Sequence, residues 1–310
     1  MYGGRVAGAL TGDWPWTGEL FALISAFLGA LSALMVRTQS HLLPPAPMNA
    51  LRCGAAALLY WVLLPFTEPL ATLSQVSLRE WVLLGGSLGI GMVVGDTLYL
   101  TAIREIGVSR ALSLACTCPL LTMLFEWVLL GKPASTDLAL GCCLVAGGVM
   151  LLSSRGAQTE PAEEGKPARP LRLKYGAALA LGAAASWGLS MVFLGPAIAH
   201  LTTIQANAIR LPLVALLVYF TRVHHRRQDL KQLDRRAGLV VALSGLVGMG
   251  LSAFTFLSAL RMIGAAKTAT LGSTSPVFGV ILAVLFLKEE VSVRMLAGIA
   301  ACMTGTWLVF

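Results

Sequence analysis

Long apolar runs separated by short polar or charged connections dominate the chain. An apolar helix needs about 20 residues to cross the hydrocarbon core of a bilayer. Ten runs approach that length, and they cover residues 17–37, 47–66, 81–103, 108–130, 134–153, 173–194, 203–221, 237–260, 266–287 and 292–310. The pattern predicts an all-α integral membrane protein with ten transmembrane helices.

The second half of the chain repeats the first. Shifts of 157 or 158 residues superimpose polar and proline positions, namely Pro119 on Pro276, Asn49 on Asn207, Arg52 on Arg210, and 104–107 (REIG) on 261–264 (RMIG). Five helices per half is an odd number, so the second half should enter the membrane upside down. This predicts two inverted five-helix repeats, 17–153 and 173–310, joined by the polar linker 154–172. Inverted repeats are typical of secondary transporters that rock about a site near the midplane.

The composition supports a membrane protein and argues against other classes. Hydrophobic residues make up 56% of the chain and charged residues 12%, whereas soluble domains carry about 25% charged residues. The two loops 154–172 and 222–236 hold ten of the 23 Lys and Arg residues behind the net charge of +8, so we interpret them as topology signals and not as a nucleic-acid surface. The six cysteines fall inside apolar runs. We therefore expect neither a metal site nor a cofactor.

Several motifs resemble those of a known family. They are the turn Trp187-Gly188-Leu189-Ser190, the arginines Arg52 and Arg210 early in the second helix of each half, the central prolines Pro119 and Pro276, and the ending Leu287-Lys288-Glu289. With these motifs each half resembles an EamA-type repeat of the drug/metabolite transporter superfamily, over about residues 17–310. The resemblance implies a secondary carrier of small metabolites, often an exporter. The first half departs from the pattern, since Lys132 stands where the second half has Glu289.

The distribution of basic residues predicts an orientation. Loops on one side hold 16 Lys and Arg residues and loops on the other side hold five. Because positive loops stay in the cytoplasm, we expect the loops 154–172 and 222–236 to be cytoplasmic, with both termini outside a cell (inner) membrane. The family resemblance implies the opposite placement of the termini, and the charge count is favoured here.

Asp96 is the most informative polar residue within an apolar run. It lies about seven residues, or roughly 10 Å, from the end of the third run. A charge there costs about 2.5–3.5 kcal/mol on insertion scales, so Asp96 should face the bundle interior. Gly85, Gly89 and Tyr99 share its helical face, and such glycines allow a neighbouring backbone to approach closely. Two interpretations are open: a proton-titrating or substrate-contacting carboxylate, or a hydrogen-bonded group that only orients helices.

The motif Asn-x-x-Arg occurs in both halves, as Asn49 with Arg52 and as Asn207 with Arg210. Spacing of three places the two side chains of each motif on one helix face. The arginine could clamp an anionic group of a solute, or it could snorkel to the interface or cap a helix. Arg210 lies deeper in its run, which makes snorkelling harder, whereas repetition of the motif favours a structural duty.

The remaining candidates are aromatic residues, hydroxyls and helix breaks, namely Trp187, Ser186, Tyr99, Thr117, Thr274, Pro119 and Pro276. The aromatic and serine side chains could stack on or bond a substrate, or serve packing alone. Each proline frees a backbone carbonyl that a nearby hydroxyl can satisfy. Glu126, beside Trp127, has the spacing of an interfacial carboxylate in an aromatic belt.

These features together predict secondary transport of a small organic solute by alternating access between the two repeats. The solute's own gradient or exchange with protons would supply the energy, since no nucleotide-binding domain is evident in the sequence. The expected partners are the solute, protons and the lipid bilayer, and no nucleic acid. Two alternatives from other classes are an integral-membrane enzyme and a lipid scramblase, each acting on lipid-linked substrates.

Overall fold

The structure is a computed structural model, and it describes residues 15–37, 45–67, 76–133, 135–153, 173–220, 235–287 and 292–310. The predicted linker 154–172, most of the basic loop 222–236 and Glu289 lie outside the described residues. Within the described ranges all regular secondary structure is helical, which confirms the prediction of an all-α fold.

The helices are numbered here in chain order. Those of the first half are α1 (Thr17–Arg37), α2 (Pro45–Thr67), α3 (Leu78–Leu88), α4 (Asp96–Ile106), α5 (Val108–Ala115), α6 (Cys118–Leu130) and α7 (Thr136–Ser153). Those of the second half are α8 (Leu173–Ala197), α9 (Thr203–Val218), α10 (Arg235–Gly245), α11 (Ser252–Gly272), α12 (Ser275–Leu287) and α13 (Val293–Val309).

Apolar helices of membrane-spanning length recur along the described residues. Six stretches are long and apolar enough to cross a membrane, namely Thr17–Val36, Met48–Thr67, Leu78–Ile103, Arg110–Leu130, Leu173–Ala197 and Arg235–Gly272. Shorter apolar helices occupy Thr136–Leu152, Thr203–Val218, Ser275–Phe286 and Val293–Val309. A multi-pass helical protein follows from these lengths, and the count of ten crossings stays a prediction.

A π-helical segment interrupts one long helix in each half. The segments are Gly89–Gly95, between α3 and α4, and Leu246–Leu251, between α10 and α11. At the end of the first segment the N–H of Asp96 donates to the carbonyl five residues back, at Gly91. The two segments lie at equivalent positions, because the shift of 157 residues carries residue 89 onto 246. The sequence predicted uninterrupted helices here, since one extra residue in a turn leaves the apolar run unbroken.

Two further breaks precede the central prolines. A short turn ends at Thr117, two residues before Pro119, and the equivalent turn ends at Thr274, two residues before Pro276. Each proline lies in the first turn of a new helix, where its missing N–H leaves no intrahelical bond unmade. Thr117 Oγ1 donates to a carbonyl three residues earlier at 2.7 Å, and Thr274 Oγ1 does the same at 2.6 Å. The hydroxyls thus satisfy backbone that the breaks expose.

The chain forms two compact units, and each unit takes segments from both sequence halves. The first unit comprises Met1–Leu84, Ala197–Ile263 and Phe278–Lys288, and the second comprises Gly85–Pro196, Gly264–Val277 and Glu289–Phe310. The repeats 17–153 and 173–310 are therefore divisions of the sequence that do not coincide with these units. Their status as separate domains stays a prediction.

In the first unit α2 packs along α9 and α10. A cluster of small and apolar side chains fills the contact with α9, namely Ala56, Ala57, Tyr60, Leu64, Ala208 and Leu211. Serine pairs add polar ties to α1. Ser25 and Ser252 exchange hydroxyl-to-carbonyl bonds at 2.9 and 3.0 Å, and Ser32 Oγ donates to Ser244 O at 2.7 Å.

In the second unit the densest packing joins α7 and α13. A Cβ added to Gly141 would lie 2.7 Å from Gly305 O, and one added to Gly148 would lie 2.6 Å from Gly298 O. Glycine at these positions lets the two backbones touch, which is a common way for helices to pack in membranes. The same four glycines align between the halves at a shift of 157, so the contact is built from equivalent positions.

Candidate functional site

The clearest candidate site in the second unit is a carboxylate held by two aromatic side chains. Asp96 is the first residue of α4, directly after the π segment Gly89–Gly95. Its Oδ1 accepts a hydrogen bond from Trp187 Nε1 of α8 at 3.0 Å. The Tyr99 ring packs on the indole with a centroid distance of 5.1 Å and an angle of 59°. All three side chains are half-buried, so the carboxylate is held in place without being sealed off.

Glycine beside the carboxylate makes room for the indole. A Cβ on Gly95 would lie 2.7 Å from Trp187 Cδ1 and 2.8 Å from its Nε1. It would also lie 3.3 Å from the Cβ of Ser186. One turn earlier, a Cβ on Gly91 would lie 2.6 Å from Ser190 Oγ. The bond from Trp187 to the carboxylate therefore depends on the absence of a side chain at Gly95, and Gly91 lets the same stretch of chain approach Ser190 closely.

The sequence assigned this close approach to Gly85 and Gly89, and that assignment was wrong. A Cβ on either of them would meet nothing within 4 Å. The reason is the π segment, whose extra residue per turn changes which positions share a face with Asp96. Positions before the segment therefore no longer follow ordinary helical spacing from the carboxylate.

In the described part of the chain, π segments interrupt two long helices, and a carboxylate follows directly after one of them. The shift of 157 residues that aligns the segments places Ala253 at the position of Asp96. The second π segment thus forms beside an alanine, so this backbone feature does not need a carboxylate. π segments inside α-helices are found frequently at functional sites. Because a carboxylate follows only one of these two segments, Asp96 is expected to do more than maintain the shape of the helix.

The first unit holds both Asn-x-x-Arg motifs, and Arg52 has a structural role there. Arg52 Nη2 donates to Ser32 Oγ at 2.8 Å, and Ser32 Oγ donates in turn to Ser244 O at 2.7 Å. A Cβ on Gly245 would lie 2.5 Å from Arg52 O. These contacts join α2 to α1 and α10. Asn49 makes a long bond within α2, as its Oδ1 accepts from Cys53 Sγ at 3.9 Å.

The second motif behaves differently. Asn207 is fully buried, and its Nδ2 donates to Tyr60 Oη at 3.1 Å. Tyr60 Oη donates onward to Gly250 O at 2.8 Å, so Asn207 supports the contact between α9 and α2. Arg210 makes no hydrogen bond or ion pair with any described residue, and its Nε is buried without a partner. The two arginines look equivalent in sequence, and among the described residues a guanidinium partner is found for Arg52 alone.

The structure therefore divides the predicted residues. It brings Asp96, Tyr99 and Trp187 together in the second unit, with Ser186 beside them. The Ser186 hydroxyl donates within its own helix, to Gly182 O at 2.9 Å. The hydroxyls at the two proline breaks likewise bond their own helices.

Sequence reasoning missed the role of Glu126. The spacing suggested an interfacial carboxylate, whereas the side chain is 7% exposed. Its Oε1 accepts from the backbone N–H of Ala265 at 3.1 Å, and its Oε2 accepts from that of Ala266 at 2.8 Å. The exposed Lys132 Nζ lies 3.6 Å from Oε1. Glu126 therefore caps a helical segment of the second unit.

The backbone of Gly264 creates the end that Glu126 caps. Gly264 has φ +82° inside α11, so the helix breaks there and the next N–H groups lack intrahelical acceptors. A Cβ on Gly264 would also lie 3.1 Å from Glu126 Oε1. Gly107 has the same φ of +82°. The repeated glycine in the sequence was therefore a signal for a helix break in each half. The partner of the second break had no such signal, because Glu126 lies 139 residues away from the amide of Ala265 that it binds.

The apolar helices and the internal repeat define a multi-pass membrane protein. The EamA-like transporter family matches residues 16–154 and again residues 174–310. The chain belongs to this family, which confirms the resemblance seen in the sequence, and the family points to a membrane transporter and not to an enzyme. The chain is also 26% identical to an uncharacterized transporter of Archaeoglobus fulgidus over 225 residues, which is 72% of this chain and 74% of the relative.

A protein of known crystal structure has a similar fold. It superposes with a TM-score of 0.68 at 17% sequence identity, over 94% of this chain and 95% of that chain. At this level of identity the likeness shows the fold alone.

Proposed function

We propose that the chain is a proton-coupled secondary transporter that exports a small organic solute, and that Asp96 binds and releases the coupling proton. The family supports the general function of membrane transport. It also favours transport over the membrane-enzyme and scramblase alternatives. Proton coupling, the direction of transport and the role of Asp96 are the proposed additions.

The observation that carries the proposal is the bond from Trp187 Nε1 to Asp96 Oδ1. An indole N–H can only donate. A carboxyl group keeps an acceptor oxygen in both its protonated and its ionised form. Trp187 can therefore hold Asp96 in one place while a proton arrives and leaves. A group that merely tied helices together would not need a half-buried carboxylate, because a hydroxyl can make the same bond.

The transport cycle that we propose uses alternating access between two inverted five-helix repeats. Opening toward one side and then the other changes the hydration around Asp96. Since desolvation penalises the charged form of a carboxylate, the affinity of Asp96 for a proton changes with the state of the cycle. The placement of the loops 154–172 and 222–236 in the cytoplasm, in a cell (inner) membrane, belongs to the same proposal.

The test is the substitution Asp96→Asn, which keeps the size of the side chain and an acceptor oxygen but cannot titrate. The wild-type protein in proteoliposomes is first given labelled amino acids, organic acids, sugars and nucleosides, with and without a pH gradient. For a transported solute, we expect Asp96→Asn to lose accumulation driven by the pH gradient and to retain solute exchange. Asp137→Asn is the matched control, because Asp137 is exposed at the start of α7.

A second variant distinguishes the positioning of Asp96 by Trp187 from the titration of Asp96 itself. Trp187→Phe keeps an aromatic ring against Tyr99 and removes the N–H that Asp96 accepts, so coupling should become less tight while exchange continues. Full pH-driven accumulation by Asp96→Asn, at matched reconstitution, would overturn the proposed role of this carboxylate.

A further inference from the structure

Arg210 lies in the middle of the apolar helix α9 without a partner among the described residues. It is the eighth residue of α9, which has 16 residues. A guanidinium at such a depth is costly in a bilayer, and ionisable residues there usually pair with one another or with backbone carbonyls. Arg210 forms no hydrogen bond or ion pair with the described residues, and its Nε is buried and unbonded.

The acidic residues in the described part of the first unit do not compensate this charge. Those within its described part are Glu19 and Glu80, which lie near the starts of α1 and α3. Glu80 accepts from the N–H and hydroxyl of Ser77 at 2.7 and 2.8 Å. Neither carboxylate forms an ion pair with Arg210. A half-buried cation whose described neighbours supply no anion is suited to bind one from outside the protein.

The equivalent arginine provides an internal comparison. Arg52 is the eighth residue of α2, and its Nε is buried and unbonded like that of Arg210. Its Nη2 bonds Ser32, however, so a structural duty explains Arg52. Repetition of the motif therefore does not explain Arg210. On the same face as Arg210, three residues earlier, the Oδ1 of Asn207 is also buried and unbonded. This face of α9 carries polar atoms that its own described surroundings leave unsatisfied.

The position of Arg210 around α9 also differs from that of the most exposed large apolar side chain of this helix. Leu216 is 52% exposed. Six residues, or about 120° around the helix, separate Arg210 from Leu216. Arg210 is itself only half-buried, so part of the side chain remains reachable. Arg210 is therefore not on the face of α9 that Leu216 occupies.

From these observations we infer that Arg210 binds the oxyanion of the transported solute, so the solute is an organic anion with a carboxylate or phosphate group. The inference rests on the proposed transport function and names its substrate class. A guanidinium offers five N–H donors in a planar fork that matches both oxyanions. Binding of the solute also neutralises the charge of Arg210. The solute thus supplies the anionic partner that the described part of the first unit does not provide.

The test uses the full-length protein in proteoliposomes with five labelled probes. Lactate and succinate represent carboxylates, glycerol 3-phosphate represents phosphate esters, and glucose and choline represent neutral and cationic solutes. The variants are Arg210→Gln and Arg210→Lys, with Arg261→Gln as the matched control because Arg261 is exposed in the same unit. Thermal unfolding in detergent is measured in parallel with each unlabelled probe, because a bound ligand stabilises the folded state.

We expect wild-type uptake of at least one of the three anions. In Arg210→Gln the KM for that anion should rise roughly 10- to 100-fold, the range expected when charge-assisted hydrogen bonds are lost. Arg210→Lys should show a smaller rise, and Arg261→Gln should match the wild type. The anion that is transported also distinguishes a carboxylate from a phosphate group.

Each remaining outcome is decisive. An unchanged KM in Arg210→Gln, or uptake of glucose or choline alone, would overturn the anion inference and leave transport intact. If the wild type moves none of the probes, the proposed function loses support while the binding assay still decides the role of Arg210. Stabilisation by an anion that Arg210→Gln abolishes would support the site, and absence of stabilisation by any anion would refute it. If the Gln variant does not fold, the Lys variant carries the comparison.

Discussion

Removing the Glu126 carboxylate should destabilise the second unit by a predictable amount. The two amides that it accepts from, Ala265 N and Ala266 N, belong to buried residues. A buried donor left without an acceptor costs about 1–3 kcal/mol. Glu126→Ala should therefore lower the free energy of unfolding by about 2–6 kcal/mol, before any cost of the cavity is added.

A graded series tests this explanation against a general loss of packing. In Glu126→Gln the amide oxygen can accept from one N–H while its NH₂ group meets the other, so about half of the effect should remain. Lys132→Met is the control for the ion pair. The Lys132 side chain is 62% exposed, and exposed pairs contribute about 0–1 kcal/mol.

The break at Gly264 provides an independent check. Gly264→Ala should also destabilise, because alanine is disfavoured at φ +82° and its Cβ would lie 3.1 Å from Glu126 Oε1. When Glu126 is alanine that contact is gone, so the double variant should lose less stability than the two single losses added together. Unfolding by SDS in mixed micelles, followed by tryptophan fluorescence, measures all of these variants. A Glu126→Ala protein as stable as the wild type, within about 0.5 kcal/mol, would refute the capping role.

Two further predictions concern packing and orientation. Gly91→Leu should lower the yield of folded protein, since overpacking costs about 1–3 kcal/mol and a Cβ there would meet Ser190 Oγ at 2.6 Å. Gly89→Leu is its control and should fold normally, and equal yields of the two variants would contradict the packing explanation. For orientation, Asp229→Cys in a background without the native cysteines should resist an impermeant thiol reagent in intact cells and react after lysis. Labelling in intact cells would place the loop 222–236 outside.

Most of the helical architecture could be predicted from the apolar runs, because membrane-spanning helices need long apolar stretches. The predicted run 17–37 corresponds to α1, Thr17–Arg37, and the run 108–130 ends with α6 at Leu130. The π segments could not be predicted this way. One extra residue in a turn changes the register of the side chains and leaves the apolar run intact. The register error explains why Gly89, which was placed on the face of Asp96, makes no close contact, whereas Gly91 does.

The candidate site could be predicted residue by residue, but not as a set of contacts. Asp96 and Trp187 were each singled out, and the bond between them joins positions 91 residues apart. No local pattern carries information about such a pairing. The same limit applies to Glu126, whose partners are backbone amides and so leave no signature in residue type. Arg52 and Arg210 show the same limit in another way. The two arginines lie in the same sequence motif, but their guanidinium groups have different neighbours in the structure.

The paired π segments also bear on how the chain arose. A π turn is rare, and two at equivalent positions are more simply inherited than acquired twice. A single ancestral repeat with one π segment, duplicated and fused, accounts for Gly89–Gly95 and Leu246–Leu251 in one chain. An ancestor that assembled as identical copies would have carried either two carboxylates or none. Fusion freed the halves to diverge, leaving Asp96 in one and Ala253 in the other, so this position supplies one titratable group per molecule.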